Sequence, residues 1–318
     1  MMDRLYLVIP CYNEEEVLPE TSRRLEAKLK ELIGAGQISQ DSRILFVDDG
    51  SKDRTWELIT ALHQTNPMME GLKLAHNRGH QNALLAGLMT AKDRADMVIS
   101  MDADLQDDIG AVNAMVAQYH QGCDIVYGVR SDRATDTAFK RGTAQAFYRI
   151  MSFLGADMVY NHADYRLMSR RALEGLAEYQ EVNLFLRGIV PMIGYKTATV
   201  EYSRGERFAG ESKYPLSKMI NFALDGITSL SVKPIRFITL LGFLIFSASI
   251  LMLVYFLAVH FLGHTVPGWT SIVVSVWAIG GLQLLSIGVI GEYLGKIYLE
   301  TKARPRYRIE TLLTHDPQ

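Results

Sequence analysis

Short apolar runs and longer stretches with helical spacing alternate from Leu5 to Gln121, and this alternation limits the fold more than any other feature. Strands are expected at Leu5–Ile9, Ile44–Val47, Met97–Met101 and Ile125–Tyr127, where the runs are short and bounded by turn-forming residues. Helices are expected at Glu15–Leu32, Thr55–Gln64, His80–Lys92 and Ile109–Gln121. Strand, helix, strand, helix predicts an α/β domain with a mainly parallel, Rossmann-like sheet. Such sheets bind ligands beyond the carboxyl ends of their strands. Polar clusters follow the expected strands there: Tyr12-Asn13-Glu14, then Asp48-Asp49-Gly50-Ser51, then Asp102-Ala103-Asp104. The second cluster also suits a turn and a helix cap, because Asp, Gly and Ser favour both. The two roles are compatible.

The rest of the chain reads differently. Phe237 to Val259 and Trp269 to Gly291 contain no charged residue. Each is long enough to cross a hydrocarbon core of about 30 Å as a helix. The connector between them has no Lys or Arg, whereas Lys233, Arg236, Lys296, Lys302, Arg304, Arg306 and Arg308 flank the pair. By the bias of basic residues towards the cytoplasm, a two-span hairpin with both termini inside is expected. The organisation anticipated is a cytoplasmic catalytic domain over 1–214, a juxtamembrane amphipathic helix over 215–233 lying at the bilayer surface, a hairpin over 234–295 and a basic tail over 296–318. The spans fall at about 235–260 and 268–292, giving a multi-pass protein of the cytoplasmic membrane. A homo-oligomer packed through the spans is consistent with this layout. The formal net charge of −2 gives no basis for wrapping nucleic acid. Cys11 and Cys123 show neither metal-ligand spacing nor a disulfide framework.

Asp102-Ala103-Asp104 carries the first chemical expectation. Two carboxylates two residues apart at a strand end can hold Mg²⁺ or Mn²⁺ while the cation grips a diphosphate, since hard divalent ions prefer oxygen ligands. Asp-x-Asp alone is a weak signal; its position and its company give it weight. Gly-x-Gly-x-x-Gly and Gly-x-x-x-x-Gly-Lys are both absent, which removes dehydrogenase and P-loop readings.

That company is Ile9-Pro-Cys-Tyr-Asn-Glu-Glu15, Val47-Asp-Asp-Gly-Ser-Lys-Asp53 and Met101-Asp-Ala-Asp-Leu-Gln-Asp107, in this order. The set resembles glycosyltransferase family 2, with its GT-A nucleotide-diphospho-sugar fold. The resemblance implies that Pro10, Tyr12, Glu14, Asp48 or Asp49, and Asp102 bind the nucleotide. It implies that Asp104 and Gln106, with Asp102, lie nearest the metal. A second group narrows the branch: Gly128-Val-Arg130, Lys140-Arg141, Ala163-Asp-Tyr-Arg-Leu-Met-Ser169, Asn183-Leu-Phe-Leu-Arg-Gly188 and Arg207-Phe-Ala-Gly-Glu-Ser-Lys213. These are similar to polyprenyl-phosphate hexosyltransferases, a branch holding dolichol-phosphate mannose synthases and bactoprenol glucosyltransferases. The branch implies a UDP-hexose donor, a polyprenyl (undecaprenyl) phosphate acceptor and a site at the bilayer.

Phosphate is expected to meet Arg130, Arg141, Arg166, Arg207 and Lys213, because guanidinium groups can bind it bidentately. Arg187 is a weaker candidate. Asp164 stands where the branch places its catalytic carboxylate, as a base or as an orienting group. A phosphate monoester has a second pKa of about 6 and so needs little deprotonation at neutral pH. The expected reaction is a single inverting displacement. Glucose from UDP-glucose is the donor anticipated, with UDP-N-acetylglucosamine, UDP-galactose, UDP-4-amino-arabinose or GDP-mannose as alternatives. A catalytically silent nucleotide-sugar sensor is the non-enzymatic reading. The chain departs from the pattern at His76-Asn77-Arg78-Gly79-His80, at Asp107-Asp108-Ile109, which lacks a proline, and at Ala163. His76 and His80 are expected to be exposed loop residues, with a ligand role as the alternative.

Overall fold

The computed structural model describes residues 2–131, 162–203, 233–261 and 269–315. The elements run β1 (Leu5–Cys11), α1 (Leu18–Gly34), β2 (Arg43–Asp48), α2 (Thr55–Thr65), β3 (Met69–Leu74), α3 (His80–Lys92), β4 (Met97–Ser100), α4 (Ala111–His120) and β5 (Ile125–Arg130). There follow β6 (His162–Ser169), α5 (Arg170–Ala177), α6 (Leu186–Met192), β7 (Thr197–Tyr202), α7 (Lys233–Phe261), α8 (Trp269–Lys302) and β8 (Ile309–Leu313). The strands form one eight-stranded sheet in the order β7-β5-β6-β4-β1-β2-β3-β8.

The central strands are apolar throughout because helices cover both faces of the sheet. Along β1, Leu5, Leu7 and Ile9 pack with Leu25 and Leu29 of α1 and Val112 and Met115 of α4. The alternate residues Tyr6 and Val8 pack with Leu84 and Leu88 of α3 and with Leu173 of α5. Gly87 lets α3 settle closely on the sheet, since a Cβ there would stand 2.4 Å from Val8 Cγ1.

The chain steps outward from β1 to β2 to β3, then returns to lay β4 on the other side of β1, all parallel. This reversal creates a crevice beyond the carboxyl ends of β1 and β4. The ladder between these two strands stops at Val8–Ser100, whereas β1 stays paired with β2 as far as Cys11–Asp48. Pro10 lies past that divergence, where β1 no longer pairs with β4, which explains a proline in a central strand.

β6 runs antiparallel to both of its neighbours, β4 and β5. Its start therefore lies at the same edge of the sheet as the ends of β4 and β5. β5 and β7 pair in parallel, and β8 pairs antiparallel with β3. Residues Ile309–Leu313, expected within a basic tail, thus complete the sheet.

Helices α7 and α8 occupy the two segments expected to span a membrane. Among the described residues, however, no helix is long and apolar enough to cross a membrane, which overturns the expected multi-pass location. Absence of charge was not a sufficient criterion. α7 opens on Lys233 and Arg236, and α8 runs on through Glu292, Lys296, Glu300 and Lys302. Thr239, Gly242, Ser247, Ser249, Thr270, Ser271, Ser275, Gln283 and Ser286 interrupt the apolar runs between. The helix anticipated over 215–233 lies outside the described residues except for Lys233.

Candidate active site

The β4–β6 register builds the centre of the site. Its last pair is Ser100–Arg166; Asp164 lies two residues earlier on β6, and Asp102 two residues past the end of β4, so both fall at the same edge of the sheet. Ser100 Oγ donates to the carbonyl of Asp164 at 2.5 Å and fixes the strand there. His80, the first residue of α3, stands beside both carboxylates. Its Nε2 lies 3.7 Å from Asp102 Oδ1 and 3.6 Å from Asp164 Oδ2.

Asp164 is buried and heavily engaged. Its Oδ1 accepts from Arg166 Nη2 at 2.8 Å and from Arg187 Nε at 3.3 Å, and its Oδ2 accepts from Arg187 Nη2 at 2.9 Å. Arg187 therefore grips it bidentately, from the first turn of α6. Burial alone would raise the carboxyl pKa, but His80 and the two guanidinium groups outweigh it and hold Asp164 well below the usual range. Arg166 has a fully buried side chain (0 % exposed), paired with Asp164 and reaching the Leu186 carbonyl at 3.5 Å. It sits behind the carboxylate, where no exposed surface is left to meet a phosphate directly. Arg187 keeps 32 % of its side chain exposed and stands on the open side.

Asp102 behaves in the opposite way. Loss of water and then the nearby carboxylates Asp107, Asp164 and Asp104 push it up to about 6, against the pull of His80. Its side chain is still 42 % exposed, so an incoming cation or ligand can reach it. For His80, burial favours the neutral ring, but Asp164 and Asp102 overcome this and raise its pKa.

The nucleotide-side loops are locked to one another. Asp49 accepts from the backbone amides of Arg78 at 2.7 Å and Gly79 at 2.8 Å, tying the β2–α2 loop to the β3–α3 loop that delivers His80. Gly50 has φ +68°, and a Cβ there would meet Asn77 N at 2.7 Å. The β1 loop joins the same array: Asn13 N donates to Ser51 Oγ, Lys52 N to Asn13 Oδ1, and Glu14 N to Thr55 Oγ1. Asp48 is fully buried; Oδ1 accepts from Ser51 N at 3.2 Å, and Oδ2 has no hydrogen-bond partner among the described residues. Burial raises its pKa. Asp49 is thus a loop fastener, while Asp48 retains an acceptor atom. Tyr12 is exposed, and Glu14 lines a cavity of about 460 Å³ with Lys52 and Asp53.

The Asp102–Gln106 turn is shaped by Leu105, whose φ of +58° is unusual for a branched side chain. It brings the Gln106 amide to Asp104 Oδ1 at 3.2 Å. Among the described residues, no three His, Cys, Asp or Glu side chains converge as a ready-made metal cage. The oxygen donors Asp102, Asp104 and Gln106 nevertheless fit a hard cation that takes one or two protein carboxylates and completes its shell from phosphates and water, as Mg²⁺ does.

On the acceptor side, Arg130 ends β5, with Nε 3.3 Å from Tyr202 Oη. Arg141, Arg207 and Lys213 lie outside the described residues. The described residues include all those expected on the donor side (Pro10, Tyr12, Glu14, Asp48, Asp49, Asp102, Asp104, Gln106) and, of those expected on the acceptor side, Arg130, Asp164 and Arg166. His80 is exposed, as expected, but it opens α3 rather than lying in a loop, and it stands beside Asp102 and Asp164. Arg187 also belongs to the centre, gripping Asp164.

Residues 6–176 match the model of glycosyl transferase family 2. The chain is 58 % identical over 306 residues to the uncharacterized glycosyltransferase YkoT of Bacillus subtilis, covering 96 % of this chain and 91 % of that one. It is 41 % identical over 313 residues to the bactoprenol glucosyl transferase of Shigella phage SfX, covering 97 % and 99 % respectively. Among solved structures, a mannosyltransferase from Pyrobaculum calidifontis is 16 % identical, with a TM-score of 0.43 and coverage of 94 % of this chain and 85 % of that one.

Proposed function

Because the chain belongs to glycosyltransferase family 2, we propose that it transfers a hexose, glucose from UDP-glucose, to the phosphate of a polyprenyl phosphate. The observation that carries this reading is the state of Asp164. Its oxygens are held by Arg166 and Arg187, with His80 beside them, and its pKa is pressed well below the ordinary range. A carboxylate so stabilised is a poor proton acceptor. Transfer to a sugar hydroxyl needs a base; transfer to a phosphate, already mostly a dianion above about pH 6, does not. The likeness to a bactoprenol glucosyl transferase over almost its whole length supports the same acceptor.

Each residue then has a physical task. Asp48, Tyr12 and Glu14 receive the nucleotide on the β1–β2 side. Asp102, Asp104 and Gln106 would hold a divalent cation and, through it, the donor's diphosphate. The chemistry supplied by a bound Mg²⁺ or Mn²⁺ is neutralisation of charge building on the departing nucleoside diphosphate. Asp164, braced from behind by Arg166, orients Arg187, and Arg130 approaches from the end of β5, so that the acceptor phosphate is drawn to the face opposite the leaving group. One phosphate oxygen bonds to the anomeric carbon as the bond from that carbon to the diphosphate oxygen breaks, with inversion and no covalent glycosyl-enzyme.

The test uses full-length protein in detergent with undecaprenyl phosphate, Mg²⁺ or Mn²⁺, and a panel of radiolabelled UDP- and GDP-sugars. Label from UDP-glucose should enter the organic phase, and EDTA should abolish transfer. Preference for another sugar would replace the donor assignment, and transfer unaffected by EDTA would remove the cation from the account.

A further inference from the structure

We infer that Tyr202 is a positioning residue that holds Arg130 in register with the carboxylate loop after β4, an inference resting on the assignment of Arg130 to the acceptor phosphate. Tyr202 ends β7 directly beside Arg130, its register partner on β5. It is 3 % exposed. Its hydroxyl donates to Asp107 Oδ1 at 2.7 Å and accepts from Arg130 Nε at 3.3 Å. One phenolic oxygen thus uses its donor on the loop that begins at Asp102 and an acceptor lone pair on the arginine of the opposing side. A hydroxyl is suited to this because it carries both functions.

The surroundings make the link stiff. The Tyr202 carbonyl accepts from Ser131 N at 2.9 Å and from Ser131 Oγ at 3.1 Å, closing the ends of β5 and β7 together. The Tyr165 ring meets the Tyr202 ring edge-on, with centroids 5.2 Å apart and an interplanar angle of 82°. Tyr165 Oη donates to the Asp108 carbonyl at 3.0 Å, so two tyrosines hold consecutive residues of the same loop. Tyr165 lies between Asp164 and Arg166 on β6 and therefore presents its ring on the opposite face from theirs. Donor loop, acceptor strand and Arg130 converge on this buried pair. A long guanidinium stem has many rotamers, and Tyr202 restricts it through Nε, away from the terminal nitrogens that would meet a phosphate.

The discriminating variant is Tyr202→Phe, which keeps the ring and its edge-on contact and removes only the hydroxyl. Wild type, Tyr202→Phe, Arg130→Ala and the double variant are compared for kcat, for KM of undecaprenyl phosphate and of the nucleotide-sugar, and for melting temperature. Arg130→Ala should raise the acceptor KM about tenfold, Tyr202→Phe about threefold or more with donor KM within about twofold, and the double variant should match Arg130→Ala, because coupled residues are not additive. A melting temperature near wild type in Tyr202→Phe, together with that KM split, supports positioning. Independent, multiplying effects, or a lowered melting temperature with unchanged acceptor KM, would overturn it. An unchanged acceptor KM in Arg130→Ala would remove both the Arg130 contact and this inference while leaving wild-type transfer intact. Failure of wild type to use the lipid phosphate would remove the reaction itself and the inference with it.

Discussion

Asp164 and Asp102 both flank His80 at one edge of the sheet, yet their surroundings drive them apart electrostatically. For Asp164, two guanidinium groups and His80 overcome the cost of burial. Removing that charge leaves the buried Arg166 without its counter-ion, so Asp164→Ala should cost about 3–5 kcal/mol of stability by denaturant titration. Asp164→Asn retains an oxygen acceptor and should fold, with turnover reduced on the order of 10²-fold and UDP affinity by calorimetry changed far less. A mutant defective mainly in UDP binding would contradict the acceptor-side role. The sign with pH follows from the depressed folded pKa. The stability advantage of wild type over Asp164→Asn should be complete above the unfolded value of about 4 and disappear as pH falls through the folded value. Asp102 shows the reverse dependence. Its pKa of about 6 means the fold disfavours the ionised form. In EDTA, Asp102→Asn should therefore be more stable than wild type at pH 8, by about 1 kcal/mol once screening of the 42 %-exposed side chain is allowed for, and the gain should vanish by about pH 4. A gain that persisted at pH 4 would refute this origin.

At the scale of elements, the β2–α2 and β3–α3 loops act as one piece because Asp49 and Gly50 fasten them. Gly50→Ala would place a Cβ 2.7 Å from the Asn77 amide at a φ of +68°. It should lower stability by about 1–3 kcal/mol and weaken UDP binding, and unaffected binding in calorimetry would show that the nucleotide side tolerates movement of these loops. The same elements show what sequence can disclose. β1, β2, β4 and β5 were legible because both sheet faces are covered and each carries a continuous apolar run of three or more residues. β3 was not, since Glu70, Gly71 and Lys73 break the run; Glu70 is buried beside Tyr6 and Arg94, and Gly71 clears space for Ile59. β6 was legible as a motif but not as a strand, because the paired Asp164 and Arg166 interrupt its apolar run. β7 and β8 are short strands lacking a continuous apolar run. The carboxylates beside His80 were not legible because they are 22 and 84 positions away along the chain and become neighbours only in the fold. The apolar character of the α7 and α8 segments was legible too, but absence of charge did not suffice for a spanning helix.

For the whole molecule, the sheet order decides where chemistry occurs. Reversal between β1 and β4 opens the crevice, antiparallel β6 brings the acceptor-side carboxylate to the same edge, and the C-terminal β8 closes the far side of the sheet against β3. Asp102 and Asp164 thereby come to one edge of the sheet, with His80 between them. The central claim is that this site is organised for an acceptor that arrives already ionised. The most direct measurement compares label transfer from UDP-glucose to undecaprenyl phosphate and to undecaprenol, the same chain ending in a hydroxyl, under identical detergent conditions at pH 7.5. Transfer to the phosphate alone is the result predicted. Comparable transfer to the alcohol would mean that the site supplies a working base, and would contradict the account of Asp164 on which the proposal stands.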